Sequence, residues 1–141
     1  MALLGAITHQ AMAQGGADGR KNSFIGRYRG VDAATYRGAI VTLFVATSLL
    51  GAIIYPRYRI VVRPILEFRD LRVANGVFEI KEHFGDLGLV MLPAYWMAWR
   101  RPLAAESASA RRGLTWVLAS IVWWDFLAGL VLNDVKGLFH Q

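Results

Sequence analysis

The stretch that decides the fold runs from Gly38 to Tyr55 and reads GAIVTLFVATSLLGAIIY. It contains no charged residue, and ahead of the final tyrosine its only polar side chains belong to two threonines and one serine. A soluble amphipathic helix would need a polar face, which this stretch lacks. Because about 20 mostly apolar residues cross about 30 Å of hydrocarbon, the stretch predicts a transmembrane helix.

Two further apolar blocks follow, FGDLGLVMLPAYWMAW from Phe84 and LTWVLASIVWWDFLAGLVL from Leu114. Neither alternates with a period of two, so strands are not indicated. A helix also satisfies its backbone hydrogen bonds within one segment, as lipid requires. The second block reaches spanning length if its helix begins near Phe78. We predict an all-α integral membrane protein whose transmembrane helices cover 36–55, 78–99 and 113–132.

Composition supports one membrane domain over 1–141. The chain has 16 Lys and Arg against 10 Asp and Glu, is 55% hydrophobic and contains no cysteine. The hydrophobic content excludes intrinsic disorder, and the lack of cysteine excludes disulfides and thiolate-held metal sites. The arginines lie outside the apolar blocks, so we expect contacts with the lipid bilayer and no nucleic acid. We predict a multi-pass protein of a bacterial inner membrane.

The N-terminal region 1–35 combines a moderately apolar segment, 1–14, with a basic loop. The segment could be a signal peptide, an interfacial helix or part of a fourth span. We favour a helix at or partly in the membrane, which would permit a four-helix bundle. The loop 56–76 alternates apolar residues with arginines and acids, which is typical of an amphipathic segment lying on headgroups.

Arginines flank the predicted spans, and the short loop between the second and third spans has an arginine pair at each end. The positive-inside rule therefore favours the cytoplasm for this loop. The arginines that we expect to contact lipid headgroups are Arg57, Arg59, Arg63, Arg100, Arg101, Arg111 and Arg112.

The densest polar group consists of Glu79, Glu82, His83 and Asp86, at offsets that share one face of a helix. We expect this face to point into the bundle. Carboxylates with an imidazole can hold a divalent metal, and an acid beside His83 would fix its tautomer for haem or metal binding. His140 is the only histidine placed to pair with His83 around a haem. The simpler interpretation is a solvated first turn, where acids favour the helix dipole.

Asp125 lies near the middle of the third span. An acid there costs about 2.5–3.5 kcal/mol on insertion scales, so such residues usually face other helices and have a use. It could bond a neighbouring helix, or share a site with Asp86 at similar depth.

Three functions follow from these patterns. The first is an accessory or interaction subunit without catalysis of its own, which binds protein partners or forms a homo-oligomer. The second is a redox protein that binds haem or a divalent metal through His83 and its neighbouring carboxylates. The third is a proton- or cation-coupled transporter that uses Asp86 and Asp125.

Overall fold

A computed structural model describes residues 1–13, 32–100 and 105–137 of the chain. These residues form only helices and turns, which confirms the all-α prediction. In chain order the elements are α1 (Ala2–Ala13), a 3₁₀ turn (Ala33–Thr35), α2 (Tyr36–Arg57), a π-helical turn (Tyr58–Val62), α3 (Arg63–Phe68), α4 (Arg72–Ala98) and α5 (Ala108–Gly137).

Within this part of the chain, two helical stretches are long and apolar enough to cross a membrane. They are Ala33–Phe68 and Ala108–Asp134, and they contain the predicted spans 36–55 and 113–132. The predicted span 78–99 is helical within α4, but α4 does not meet the same test because charged residues occupy its N-terminal half.

The segment 56–76, predicted as an amphipathic interfacial loop, is helical over 56–68, turns at 69–71 and then enters α4. Its contact with headgroups stays a prediction. Pro56 and Pro64 lack the N–H group that an α-helix needs, so the α-helical hydrogen bonding is interrupted between them. There the Arg63 N–H donates to the carbonyl of Tyr58, five residues earlier, as in a π-helix. The chain then reverses at Asp70, whose φ of 55° is left-handed, a conformation that Asp adopts more readily than most residues.

The long helices form a bundle. Helix α1 packs between α2 and α5, and among the described residues no Cα atoms of α2 and α5 come within 8 Å of each other. Helix α4 lies antiparallel to α5 and crosses α2 where the Phe44 ring covers Gly88. The largest buried apolar side chains come from all four helices: Leu4, Ile7, Ile40, Phe44, Leu92, Tyr95, Leu118 and Ile121.

Candidate functional site

The carboxylate of Asp125 lies between helices, where α5 faces the N-terminal half of α4. Its Oδ2 is 3.6 Å from the position that a Cβ would occupy on Gly85, an ordinary van der Waals distance, so the carboxylate lies against this part of α4. Its Oδ1 is buried and has no hydrogen-bond partner among the residues described. A bare carboxylate oxygen in such a position is costly unless a proton, a water molecule or an ion satisfies it.

Lys81 and Glu82 complete a charged group with Asp125. Both lie near enough to act on the Asp125 carboxylate electrostatically, and Lys81 Nζ is 3.4 Å from Glu82 Oε1. We call these three residues the Lys81 triad. Sequence analysis did not single out Lys81. Lys81 lies four residues before Gly85 and seven before the buried Gly88. This helical spacing places Lys81 on the inward side of α4.

The acidic face predicted on α4 turns towards the π-helical turn rather than towards α5, because Glu79, Glu82 and His83 line one cavity there. Glu79, His83 and Asp86 are exposed, and only Glu82 is half-buried. The inward side of α4 instead follows Gly88, Leu92 and Tyr95, which are all buried. Because successive helical residues are about 100° apart, Asp86 points away from Asp125 although it follows Gly85 directly. The structure therefore brings Asp125 to Lys81 and Glu82 and leaves Asp86 outside this group.

The His83 ring is held by the backbone rather than by a carboxylate. Its Nδ1 lies 2.7 Å from the carbonyl oxygen of Glu79. Since a carbonyl only accepts, Nδ1 carries the hydrogen, and Nε2 keeps its lone pair in the neutral ring. Across the described ranges, no three His, Asp or Glu side chains are grouped to hold one metal ion. A haem or metal site on Glu79, Glu82, His83 and Asp86 stays a prediction.

A cavity of about 60 Å³ lies next to the triad, where the π-helical turn meets α4. Glu82 and His83 are part of its wall, together with Tyr58 and Asn75. The Tyr58 hydroxyl and Asn75 Oδ1 are both buried and lack a hydrogen-bond partner in the described chain. Its volume and the few polar groups in its wall suit a small number of water molecules, which would place Glu82 in contact with solvent.

His9 lies away from this site. His9, on α1, is 6% exposed, and its ring centroid lies 4.9 Å from that of Tyr36. Burial lowers the pKa of His9 below its usual value. His140, the predicted partner of His83 for haem, lies outside the described residues.

A second polar cluster joins the helices at the opposite end of α4. Trp99 Nε1 donates to Thr115 Oγ1 at 2.9 Å, and the Thr115 hydroxyl donates to the carbonyl of Arg111 at 2.7 Å. The Arg37 guanidinium donates to the carbonyl of Trp99 at 3.1 Å and lies 4.0 Å from the centroid of the Trp96 ring. Sequence analysis missed this cluster because its polar atoms meet only across helices.

The arginines predicted to contact headgroups lie at both ends of the bundle. Arg57, Arg59, Arg100 and Arg112 are exposed, while Arg63 and Arg111 are half-buried. Arg63 pairs with Glu67 at 2.8 Å and with Glu79 at 3.5 Å, so its charge is partly neutralised by protein. Arg101 lies outside the described residues. Contact between the exposed arginines and lipid headgroups stays a prediction.

No family model, curated protein or solved structure matches the chain. Functional inference therefore rests on the geometry of the Lys81 triad, the cluster around Trp99 and the exposed faces of the helices.

Proposed function

We propose that the chain is a small multi-pass membrane protein that acts as an interaction subunit. In this proposal, the groove between α2 and α5 receives a transmembrane helix of a partner protein. The proposal rests on one observation about α2. The side of this helix that is buried in its first half carries small, exposed residues further along. Lipid covers the remaining apolar surface.

The small exposed residues are Thr47 and Gly51. They follow the buried residues Ile40 and Phe44 at helical spacing, so all four lie on one side of α2. Thr47 and Gly51 are nevertheless exposed, and no side chain lies within 4 Å of the position of a Cβ on Gly51. Small residues let another helix approach closely in a membrane, where packing drives helix association.

Among the described residues, α1 covers only part of α2. The 12 residues of α1 span about 18 Å, and the 22 residues of α2 span about 33 Å. Helix α1 packs against α2, and its buried residues include Ile7 and Ala11. Among the described residues, α1 therefore fills one part of the groove between α2 and α5, and the other part contains no helix.

The packing of α4 against α5 supports three transmembrane spans in this proposal. It lies antiparallel to α5 from the Trp99–Thr115 contact to Gly85, which faces Asp125. If α5 crosses the bilayer, this apolar half of α4 lies at the same depth. The charged first turns of α4 would then sit towards one membrane surface, where acids and lysine are solvated.

Because the chain has no cysteine, single-cysteine variants test this proposal cleanly. A photoactivated crosslinker is attached at Gly51→Cys, inside the groove, or at Ile53→Cys, on the outer side of α2 where Ile53 is 74% exposed. The variants are expressed in cells and irradiated in intact membranes. We expect protein adducts from position 51 and lipid adducts from position 53.

Adduct mass identifies the occupant of the groove. A product of twice 15.7 kDa would indicate a second copy of the chain, and a larger or smaller one a different protein. Gly51→Leu should abolish the adduct of a nearby probe at Thr47→Cys, because its side chain fills the groove. Identical lipid adducts at positions 51 and 53 would refute the interaction subunit. Recovery of the chain in a soluble fraction would refute its membrane location.

Asp125 favours a second function, proton transfer through the bundle. Its buried, unpartnered Oδ1 could take up a proton, and Glu82 links it to the cavity beside His83. Proton flux into proteoliposomes should be lost in Asp125→Asn and kept in Asp134→Asn, which removes an exposed acid from the same helix. If Asp125→Asn leaves flux unchanged, this second function fails and the interaction subunit is unaffected.

A further inference from the structure

A basic cavity of about 200 Å³ opens where the 3₁₀ turn meets the start of α5. Its wall includes Trp99, Arg111, Arg112 and the carboxylate of Asp32. Asp32 Oδ1 accepts the N–H of Ala34 at 3.0 Å and so caps the 3₁₀ turn. Two guanidinium groups against one carboxylate leave the cavity with a net positive charge.

The wall that carries Arg111 is held in place by hydrogen bonds. Trp99 is only 2% exposed, and its indole N–H is fixed on Thr115, which is itself fully buried. Thr115 bonds the backbone of Arg111, and the Arg111 guanidinium carbon lies 5.5 Å from the centroid of the Trp99 ring. Arg111 Nη1 also donates to Ser107 Oγ at 3.3 Å, and a guanidinium carries five N–H donors in all. Arg111 is thus held in place on one wall of the cavity, and Arg112 is exposed beside it.

An exposed indole at this end of α4 supports a position at a membrane surface. Trp96 lies in the last turn of α4, is 41% exposed and has the Arg37 guanidinium carbon 4.0 Å from its ring centroid. Trp99, directly after α4, is buried in the bundle. Tryptophan is enriched at the level of lipid headgroups, where its ring is half in hydrocarbon and its N–H is in polar surroundings. If α4 and α5 cross the bilayer, Arg111 and Arg112 lie where headgroup phosphates are found.

We propose that this cavity binds one phosphoryl oxyanion of an anionic lipid, with Arg111 and Arg112 as its donors. Arginine matches phosphate oxygens in two-bond geometry, and the cavity is large enough for a phosphodiester. The phosphoryl chemistry rests on the cavity alone, whereas the lipid source rests on the membrane location proposed above. Inorganic phosphate is the other source of the same chemistry.

Lipid binding tests the proposal on the full chain. Protein purified in detergent is titrated with phosphatidylglycerol or phosphatidylcholine and followed by native mass spectrometry. The variant Arg112→Gln removes an exposed guanidinium and leaves the Trp99–Thr115–Arg111 contacts intact. The double variant Arg111→Gln/Arg112→Gln removes both donors. Arg57→Gln/Arg59→Gln removes the same charge from exposed residues at the other end of the bundle.

We expect the wild type to retain one phosphatidylglycerol in preference to phosphatidylcholine. Because hydrogen bonds to charged groups each contribute substantially, Arg112→Gln should weaken binding about 10-fold and the double variant about 100-fold. The Arg57→Gln/Arg59→Gln control should weaken it by less than about 3-fold, since exposed charges are screened. Equal losses in the two double variants, or equal binding of the two lipids, would overturn the lipid site.

A second experiment tests phosphate binding independently of the proposed membrane location. The unfolding temperature is measured in inorganic phosphate and in chloride at equal ionic strength. Stabilisation by phosphate that Arg111→Gln/Arg112→Gln removes would support the oxyanion site even if the chain did not reside in a membrane. An absence of both phosphate and lipid effects would overturn the proposal altogether.

Discussion

The Tyr95 hydroxyl donates a hydrogen bond to the side-chain oxygen of Gln10, which is 85 residues away in the chain. Both residues are completely buried, and Gln10 Nε2 donates in turn to the carbonyl of Ala33 at 2.9 Å. One glutamine of α1 therefore connects α4 with the 3₁₀ turn that leads into α2. This connection fixes α1 inside the bundle.

Tyr95→Phe should destabilise the bundle by about 1–3 kcal/mol, because it leaves the Gln10 oxygen buried without this donor. The free energy of unfolding in detergent measures the effect. Tyr55→Phe is the matched control, since the Tyr55 hydroxyl only accepts a hydrogen bond from Arg59 at an exposed site. It should change stability by less than about 0.5 kcal/mol. Equal effects of the two variants would contradict a structural role for Tyr95.

Gly88→Ala should destabilise the crossing of α2 and α4. A Cβ at this position would overlap Cζ of Phe44 and lie 3.1 Å from its Cε2, and the Phe44 ring is itself buried. Overpacking of this kind costs about 1–3 kcal/mol. Gly76→Ala, in the same helix with open space around it, should instead stabilise by up to about 1 kcal/mol through helix propensity. Phe44→Leu should restore part of the stability that Gly88→Ala removes, as measured by unfolding midpoints.

Thr115→Val should destabilise the bundle, because the polar cluster around Trp99 depends on the Thr115 hydroxyl. The variant keeps the shape of the side chain but leaves the buried Trp99 indole N–H without its acceptor, at a cost of about 1–3 kcal/mol. Ser120→Ala is the control, because Ser120 makes the same bond to a carbonyl four residues earlier on the exposed side of α5. Thr115→Ser should retain most of the stability. A loss in Ser120→Ala as large as in Thr115→Val would show that the carbonyl bond, not Trp99, matters.

Protonation of His9 should destabilise the bundle in mild acid. Burial lowers the pKa of His9 in the folded chain, so the unfolded chain binds a proton at higher pH than the folded chain does. Stability should therefore be complete above about pH 6.5 and fall as the pH drops below that value. The difference in unfolding midpoint between neutral and mildly acid buffer measures this loss of stability. His9→Gln should flatten that dependence, and an unchanged slope in His9→Gln would rule out this histidine as its source.

Cysteine labelling should establish the number of spans. If α2, α4 and α5 all cross the membrane, Gly76→Cys and Ala105→Cys lie on opposite sides. We expect an impermeant maleimide to label position 76 in intact cells, and position 105 only after the membrane is opened. Labelling of 105 alone would reverse the orientation and keep three spans. Labelling that puts both positions on one side would show that α4 does not cross.

Helix content and the apolar segments were predictable from local sequence. Block 38–55 lacks charge and turn residues, so its hydropathy alone indicates a helix, and α2 covers it from Tyr36 to Arg57. The segment 56–76 was harder, because Pro56 and Pro64 suggest a loop while the structure keeps them within one helical path. Of the candidate site, Asp125 was predictable from its isolation in an apolar helix. Glu82 was predicted only as part of the acidic face of α4, and Lys81 was not predicted.

The sequence by itself determined that this protein is helical and where its longest apolar helices lie, because hydropathy and length are properties of one segment. Tertiary structure decided which side of each helix faces inward. In α4, apolar residues occur all round the helix, so the pattern does not fix its rotation. Close contacts such as Phe44 on Gly88 fix it, and this rotation turns Asp86 outward and brings Lys81 and Glu82 towards Asp125.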